Sequence, residues 1–320
     1  MTQTATKMLR DVFIEGIYEK MAVNKNIYFL SADFGAPMLD RLRVDFPGRF
    51  INVGIAEQNL INIATGLALE GQTVYAYGIA PFLIMRAYEQ IRINLAVLSS
   101  LRELNVNLIG VGIGLSYDVS GPTHHCLEDV GIIRILPSMQ ILSPCDGITA
   151  QAMVDYTFAI KRPKYIRLDG KPLAQVYSES GKLDFKDGYS EIAGGEVVCL
   201  VTTGYMTQKA LRIRERLLKE GVKVGVIDLF LIKPINESGL AKKLADYAAV
   251  LTLEEGFVGK GGIDSLVRGL IGEQRFRGLG FKDEYVFEIG NREYLHGLNG
   301  LADEDIIKAV KGLLKQADER

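Results

Sequence analysis

Phe50-Ile51-Asn52-Val53-Gly54-Ile55-Ala56-Glu57-Gln58-Asn59 is an apolar run that stops at a glycine and passes into helical periodicity near Glu57. A short strand followed at once by a helix is half of a β-α-β unit, and a glycine at the junction lets the backbone turn tightly. The segment therefore puts a carboxylate at the carboxyl edge of a sheet, where open α/β sheets bind their ligands. Read alone, Glu57 is first of all a first-turn glutamate favoured by the helix dipole, with a ligand-facing acid as the alternative.

The same alternation extends in both directions. Strands are expected at 27–30, 50–53, 74–77, 107–111, 140–142 and 165–168, with helices near 8–21, 57–69, 82–98 and 147–160. From 171 to 195 the pattern lapses into a mixed polar stretch that ends at Gly194-Gly195 and suits an interdomain connection. It then restarts, with strands expected at 197–201, 222–227, 249–253 and 286–289 and helices at 207–219, 237–247, 263–271 and 303–315. A chain of 320 residues exceeds the roughly 250 at which single cores stop growing. The expected fold is α/β: two consecutive α/β domains with mostly parallel sheets, over 1–180 and 190–320.

Composition narrows the function. The 37 basic and 39 acidic side chains leave a net charge of −2, so there is no field to hold nucleic acid or an anionic membrane. Cys126, Cys145 and Cys199 are odd in number and widely spaced, and the only histidines are His124, His125 and His296. Neither a disulfide framework nor a zinc cluster is supported. With no apolar leader at the start and no uncharged apolar run of roughly 18 residues, a soluble, cytoplasmic protein is expected.

The second informative segment runs from Gly110 to Asp129 and holds Ser120-Gly121-Pro122-Thr123-His124-His125 in a glycine-rich loop after a strand. Such a loop either carries proton chemistry or simply exposes a histidine pair. Gly110-x-Gly112-x-Gly114 lacks the spacing of a dinucleotide fingerprint, and Gly256 to Gly262 lacks that of a phosphate loop. The helix from Phe82 reads as core, with Phe82 as a possible stacking platform. Arg212, Arg214, Arg216 and Lys219 read as a solvated helix face.

Ser31-Ala32-Asp33, Gly54 to Asn59, Arg86-Ala87-Tyr88-Glu89-Gln90-Ile91-Arg92, Gly121-Pro122-Thr123-His124 and Glu254-Glu255-Gly256 follow one another in the order found in transketolases. Over nearly its whole length the chain resembles the C-terminal half of a transketolase, the thiamine diphosphate-binding pyrimidine domain followed by the transketolase C-terminal domain. Deoxyxylulose phosphate synthases share part of the pattern. The Gly-Asp-Gly segment that holds the cofactor's metal in this family is missing, because Cys145-Asp146-Gly147 lacks its first glycine. The resemblance therefore implies one subunit of a split transketolase, completed by an N-terminal-half subunit that holds the diphosphate and Mg2+, with no metal ligands on this chain and with self-association besides.

By resemblance, Glu57 hydrogen-bonds the aminopyrimidine ring, Phe82 stacks on it, Ile79 or Tyr77 walls it, and Asp33 lies close to the cofactor. His124 matches the histidine that faces the substrate carbonyl. Substrate contacts fall on Ser120, where an acid is usual, on Arg167 and Lys171, with Gly170 where a second arginine is usual, and on Lys7 in place of an arginine. Lysine lacks the arginine fork, so these departures imply two-carbon ketol transfer with an altered sugar or sugar phosphate. The competing readings are a decarboxylating relative and a non-catalytic scaffold.

Overall fold

The computed structural model describes residues 7–179 and 183–318. The first lobe opens with α1 (Leu9–Val23), β1 (Ile27–Ser31), α2 (Pro37–Asp45), β2 (Phe50–Asn52), α3 (Glu57–Leu69) and β3 (Thr73–Ile79). The stretch expected as one helix over 82–98 is instead wound as π-helix over Phe82–Arg86 and Ile91–Val97, with a short turn, α4 (Tyr88–Gln90), between. β4 (Val106–Val111), α5 (Asp129–Arg134), β5 (Gln140–Leu142), α6 (Gly147–Ala159) and β6 (Lys164–Leu168) follow. Strands β4 and β6 are buried at every position, which is what a parallel sheet covered on both faces demands of its sequence.

The second lobe consists of β7 (Ser190–Ala193), β8 (Val198–Thr202), α7 (Tyr205–Lys219), β9 (Gly225–Asp228), β10 (Leu231–Lys233), α8 (Glu237–Leu244), β11 (Ala249–Phe257), α9 (Ile263–Arg268), β12 (Arg275–Phe281), α10 (Arg292–Leu298) and α11 (Asp303–Asp318). Its sheet runs β12-β11-β8-β9-β7, parallel except for β7. The first sheet runs β10-β5-β6-β4-β3-β1-β2. Its antiparallel edge strand, β10, comes from the second half of the chain and pairs Leu231 with Leu142. Thus the chain returns, well after its polar connection, to finish the sheet it built first.

The strand expected at 286–289 does not form. Phe287 and Ile289 are exposed at 73% and 60%, and the edge strand is β12, whose alternating Arg, Gly and aromatic residues carry no apolar run. An edge strand needs a hydrogen-bonding partner more than a buried face, and β11 supplies one over Ala249 to Leu253. The arginines of α7 are not merely solvated: Arg212 pairs with Asp303 at 3.0 Å and Arg216 with Glu304 at 2.6 Å, docking α11 against α7. Among the described residues no helix is long and apolar enough to cross a membrane.

The connection between the lobes is stitched from both sides. Asp146 caps α6 through Thr149 with one carboxylate oxygen and takes the N–H groups of Val176 and Tyr177 with the other. Tyr177 in turn donates to Asp228 at 3.0 Å, and Thr207 donates to the same carboxyl at 2.7 Å. Asp228 is wholly buried, and that burial pushes its pKa from the ordinary 3.8 up to about 7. A folded chain then keeps a proton that the unfolded chain releases at lower pH, so this group's contribution to stability falls as pH rises from about 4 to about 7. Urea unfolding across that range should show a shallower loss of stability for Asp228→Asn than for the wild type. Equal slopes would assign the titration to another group.

Candidate active site

Strands β1, β2, β3 and β4 are neighbours and parallel, so the segments that leave their carboxyl ends meet on one edge of the sheet. Asp33 follows β1, Glu57 follows β2, Ile79 ends β3 with Phe82 beyond it, and the loop 112–126 follows β4. The helix begins at Glu57 itself, and its side chain is turned inward, with only 3% of the residue exposed. A lone buried carboxylate is costly. Here it is paired: Arg86 Nη1 donates to Glu57 Oε2 at 2.6 Å, while Gln58 holds the Arg86 carbonyl at 3.3 Å.

Arg86 lies over Phe82 at 4.9 Å from the ring centroid. Phe82 in turn meets His124 edge to face, with centroids 5.1 Å apart and planes at 74°. Glu57, Arg86, Phe82 and His124 thus form one continuous contact series drawn from three strand ends. The imidazole is half-buried, with Nδ1 3.1 Å from the Thr123 hydroxyl. When the threonine hydroxyl donates to Nδ1, the ring proton sits on Nε2, which is then a donor. The neighbouring His125 is different: it is buried, its Nε2 is 3.5 Å from the Asp118 carbonyl, and burial lowers its pKa.

The other expected residues are distributed unevenly. Ile79 ends β3 half-buried at the same edge, but Tyr77 is fully buried and stacks on Phe34 in the core at 5.4 Å. Asp33, at φ 57°, accepts from Asn52 at 2.7 Å and lines a cleft of about 480 Å³ with Gly35, Asp40 and Arg43. Ser120 is exposed on the His124 loop, and Lys171 reaches the same loop through an ion pair with Asp118. Arg167 points elsewhere: its guanidinium is forked onto Asp129 at 2.7 and 3.0 Å inside the lobe, and it also donates to Ser143. Lys7 is exposed and pairs with Glu15 at 2.8 Å. Arg86 was not among the expected site residues. Its helical position carries no sign that it faces the acid rather than solvent, because the π winding that aims it is not visible in the sequence.

Residues 5–174 match the family model for the transketolase pyrimidine-binding domain, and residues 188–290 match the transketolase C-terminal domain. The chain belongs to the transketolase family. It is 30% identical to a 6-deoxy-6-sulfo-D-fructose transketolase subunit of Clostridium sp. (strain MSTE9), over 98% of this chain and 96% of the relative. It is 31% identical to one of the apulose-4-phosphate transketolase subunits of Actinobacillus succinogenes (strain ATCC 55618 / DSM 22257 / CCUG 43843 / 130Z), over 84% and 86%. Among solved structures, one described as a split gene transketolase, inactive beta4 tetramer, superposes with a TM-score of 0.85 at 31% identity, covering 96% of this chain and 98% of that one. The two lobes are therefore a transketolase pyrimidine-binding domain and a transketolase C-terminal domain. Among the described residues no group of three or more His, Cys, Asp or Glu side chains is placed to hold a metal ion.

The transketolase-type loop after β4 leaves no room for side chains at two glycines. At Gly112 (φ 92°) a Cβ would lie 2.1 Å from the Tyr117 ring, and at Gly114 (φ 55°) one would lie 2.0 Å from Glu255 Oε2. Gly114→Ala should lower the unfolding free energy by about 2–4 kcal/mol, from backbone strain and overpacking together. Urea unfolding checks it, and an unchanged midpoint would show that the loop can withdraw from Glu255 without loss.

Proposed function

We propose that this chain is the C-terminal subunit of a two-chain transketolase that moves a two-carbon ketol unit between a ketose and an aldose, with thiamine diphosphate as cofactor. The observation that carries the reading is the series Glu57–Arg86–Phe82–His124: a buried acid, an aromatic ring and a half-buried imidazole at the carboxyl edge of a parallel sheet. These residues fit an aminopyrimidine. Arg86 takes one oxygen of Glu57, which leaves Oε1 to hydrogen-bond a ring nitrogen in a site shielded from water. Phe82 and Ile79 supply apolar contact for a flat ring. When bound, thiamine diphosphate supplies the carbon nucleophile that accepts the ketol unit.

The chain's own residues then do three things. Glu57 holds a proton at the pyrimidine nitrogen, Phe82 packs against the ring, and His124 donates a hydrogen bond to the substrate oxygen on which negative charge develops. Asp33 borders the site from the next strand. The diphosphate and its Mg2+ are assigned to an N-terminal-half partner subunit, since the sequence holds no Gly-Asp-Gly segment. The substrate is a sugar or sugar phosphate approached by Ser120 and Lys171. Arg167 and Lys7, engaged with Asp129 and Glu15, leave fewer free cations at this subunit's side of the site than the resemblance implies. The complex is placed in the cytoplasm, and copies of this chain also associate with one another.

The test is co-expression with the N-terminal-half subunit, followed by cofactor titration and assays of ketol transfer. Tight, metal-dependent cofactor binding and turnover are expected only in the complex, with Glu57→Gln lowering kcat by about 10²–10⁴-fold. Release of carbon dioxide from pyruvate in place of ketol transfer would move the protein to the decarboxylating branch. Wild-type turnover by Glu57→Gln would remove the acid from the mechanism.

A further inference from the structure

The C-terminal lobe supplies no member of the Glu57–His124 series, yet it makes a buried, charged contact with the loop that carries His124. Gly114 and Cys126 close the base of that loop by exchanging backbone hydrogen bonds at 3.0 and 2.9 Å. Above the base, the loop turns on its own backbone hydrogen bonds at Ser116, Ser120, His124 and His125 and is tied to the rest of the molecule by charged groups from outside it. Glu255, at the end of β11, accepts from the Leu115 N–H at 3.3 Å. Arg292, which opens α10, donates its backbone N–H to Asp118 at 2.7 Å, and Lys171 pairs with the same carboxylate. The Arg292 side chain is only 5% exposed; it forks onto Glu255 at 2.7 and 2.5 Å and reaches Asp169 at 2.8 Å, beyond the end of β6. His296 closes the far side, bridging Glu255 at 2.7 Å and Lys209 at 2.9 Å.

We infer that Arg292 is a positioning residue for His124: its guanidinium, clamped between Glu255 and Asp169, locks the loop 115–125 in the conformation that presents the imidazole to the substrate. The inference rests on the proposed role of His124. The geometry carries it in three steps. Glu255 holds the loop backbone from outside at the Leu115 N–H, the Arg292 backbone N–H holds the loop's own Asp118, and the Arg292 guanidinium ties Glu255 to Asp169 of the first lobe, so the Glu255 anchor is fixed relative to the sheet that leads to Glu57. Because the clamp touches neither Glu57 nor Phe82, it acts on the transfer step and not on cofactor affinity. Lysine keeps the charge at 292 but has no fork to span two carboxylates.

Two experiments test this. In the reconstituted complex, Arg292→Lys should lower kcat about tenfold to a hundredfold while leaving the dissociation constant for thiamine diphosphate within about twofold. Combined with His124→Ala it should add nothing further, because a residue that acts through another is non-additive with it. A full additional loss in the double variant, or loss of cofactor affinity in parallel with kcat, overturns the assignment. The second experiment is amide exchange on the full chain, which needs no activity and so distinguishes failure here from failure of the transketolase reading. Peptides from 112–126 should exchange at least tenfold faster in Arg292→Lys. They should not do so in Leu244→Ala, which weakens the packing of α8 in an apolar cluster that contains no residue of the loop or of α10. Unchanged exchange in Arg292→Lys, or equal acceleration in both variants, means that the loop is held by other groups and the inference is wrong.

Discussion

A guanidinium buried between carboxylates from two lobes governs this molecule. Arg292 is the point at which β11 and the end of β6 share one charge. Burial works against ionisation of Glu255, but Arg292, with help from His296, outweighs it and holds the acid far below its usual range. Asp169, on the other side of the same guanidinium, moves the opposite way because burial dominates there. Such a group adds little net stability over a well-packed apolar substitute, yet breaking it leaves an uncompensated buried charge. Its structural effect is geometric: on top of the β10–β5 pairing and the Asp146–Tyr177–Asp228 connection, the fork ties the end of β11 to the end of β6 in one orientation.

The site itself depends on simpler physics. Four neighbouring parallel strands end on one edge, and each end delivers one segment to the same small region. An acid buried there needs a cation, and Arg86 provides it. The cation in turn needs a surface, and the Phe82 ring provides that. His124 completes the series through its ring contact. Each member satisfies a requirement created by the one before it, so the site is built as much by desolvation as by any particular hydrogen bond.

Much of this was legible in the sequence, and what was not has definite causes. The helix start at Glu57 and the strand before it follow from the glycine stop and the change of period, and the alternation of short apolar runs with helices revealed two α/β lobes. That Phe82 and His124 serve one site rested on family resemblance, and their ring contact was not foreseen, since no spacing rule links residues so far apart. Arg86 was hidden by π winding. Arg167 looked available because the sequence does not show that Asp129 lies opposite it. The last strand was misplaced to 286–289 because apolar content suggested it, whereas β12 is stabilised by its ladder with β11. The clamp at Arg292 joins groups separated by more than a hundred positions, and no periodicity reports on that.

Strand β10 gives the chain an order of assembly. Until residues 231–233 leave the ribosome, β5 stands at the rim of an unfinished sheet, its open backbone groups available to any stray strand. The first sheet therefore closes only by a contact of high sequence separation, a slow event whose loop entropy must be overcome before the pairing is gained. A protease cut or a gene break in the polar connection would separate the lobes on paper while leaving the first one without its final strand. In this protein the seam between the two family modules and the seam between independently foldable units do not coincide.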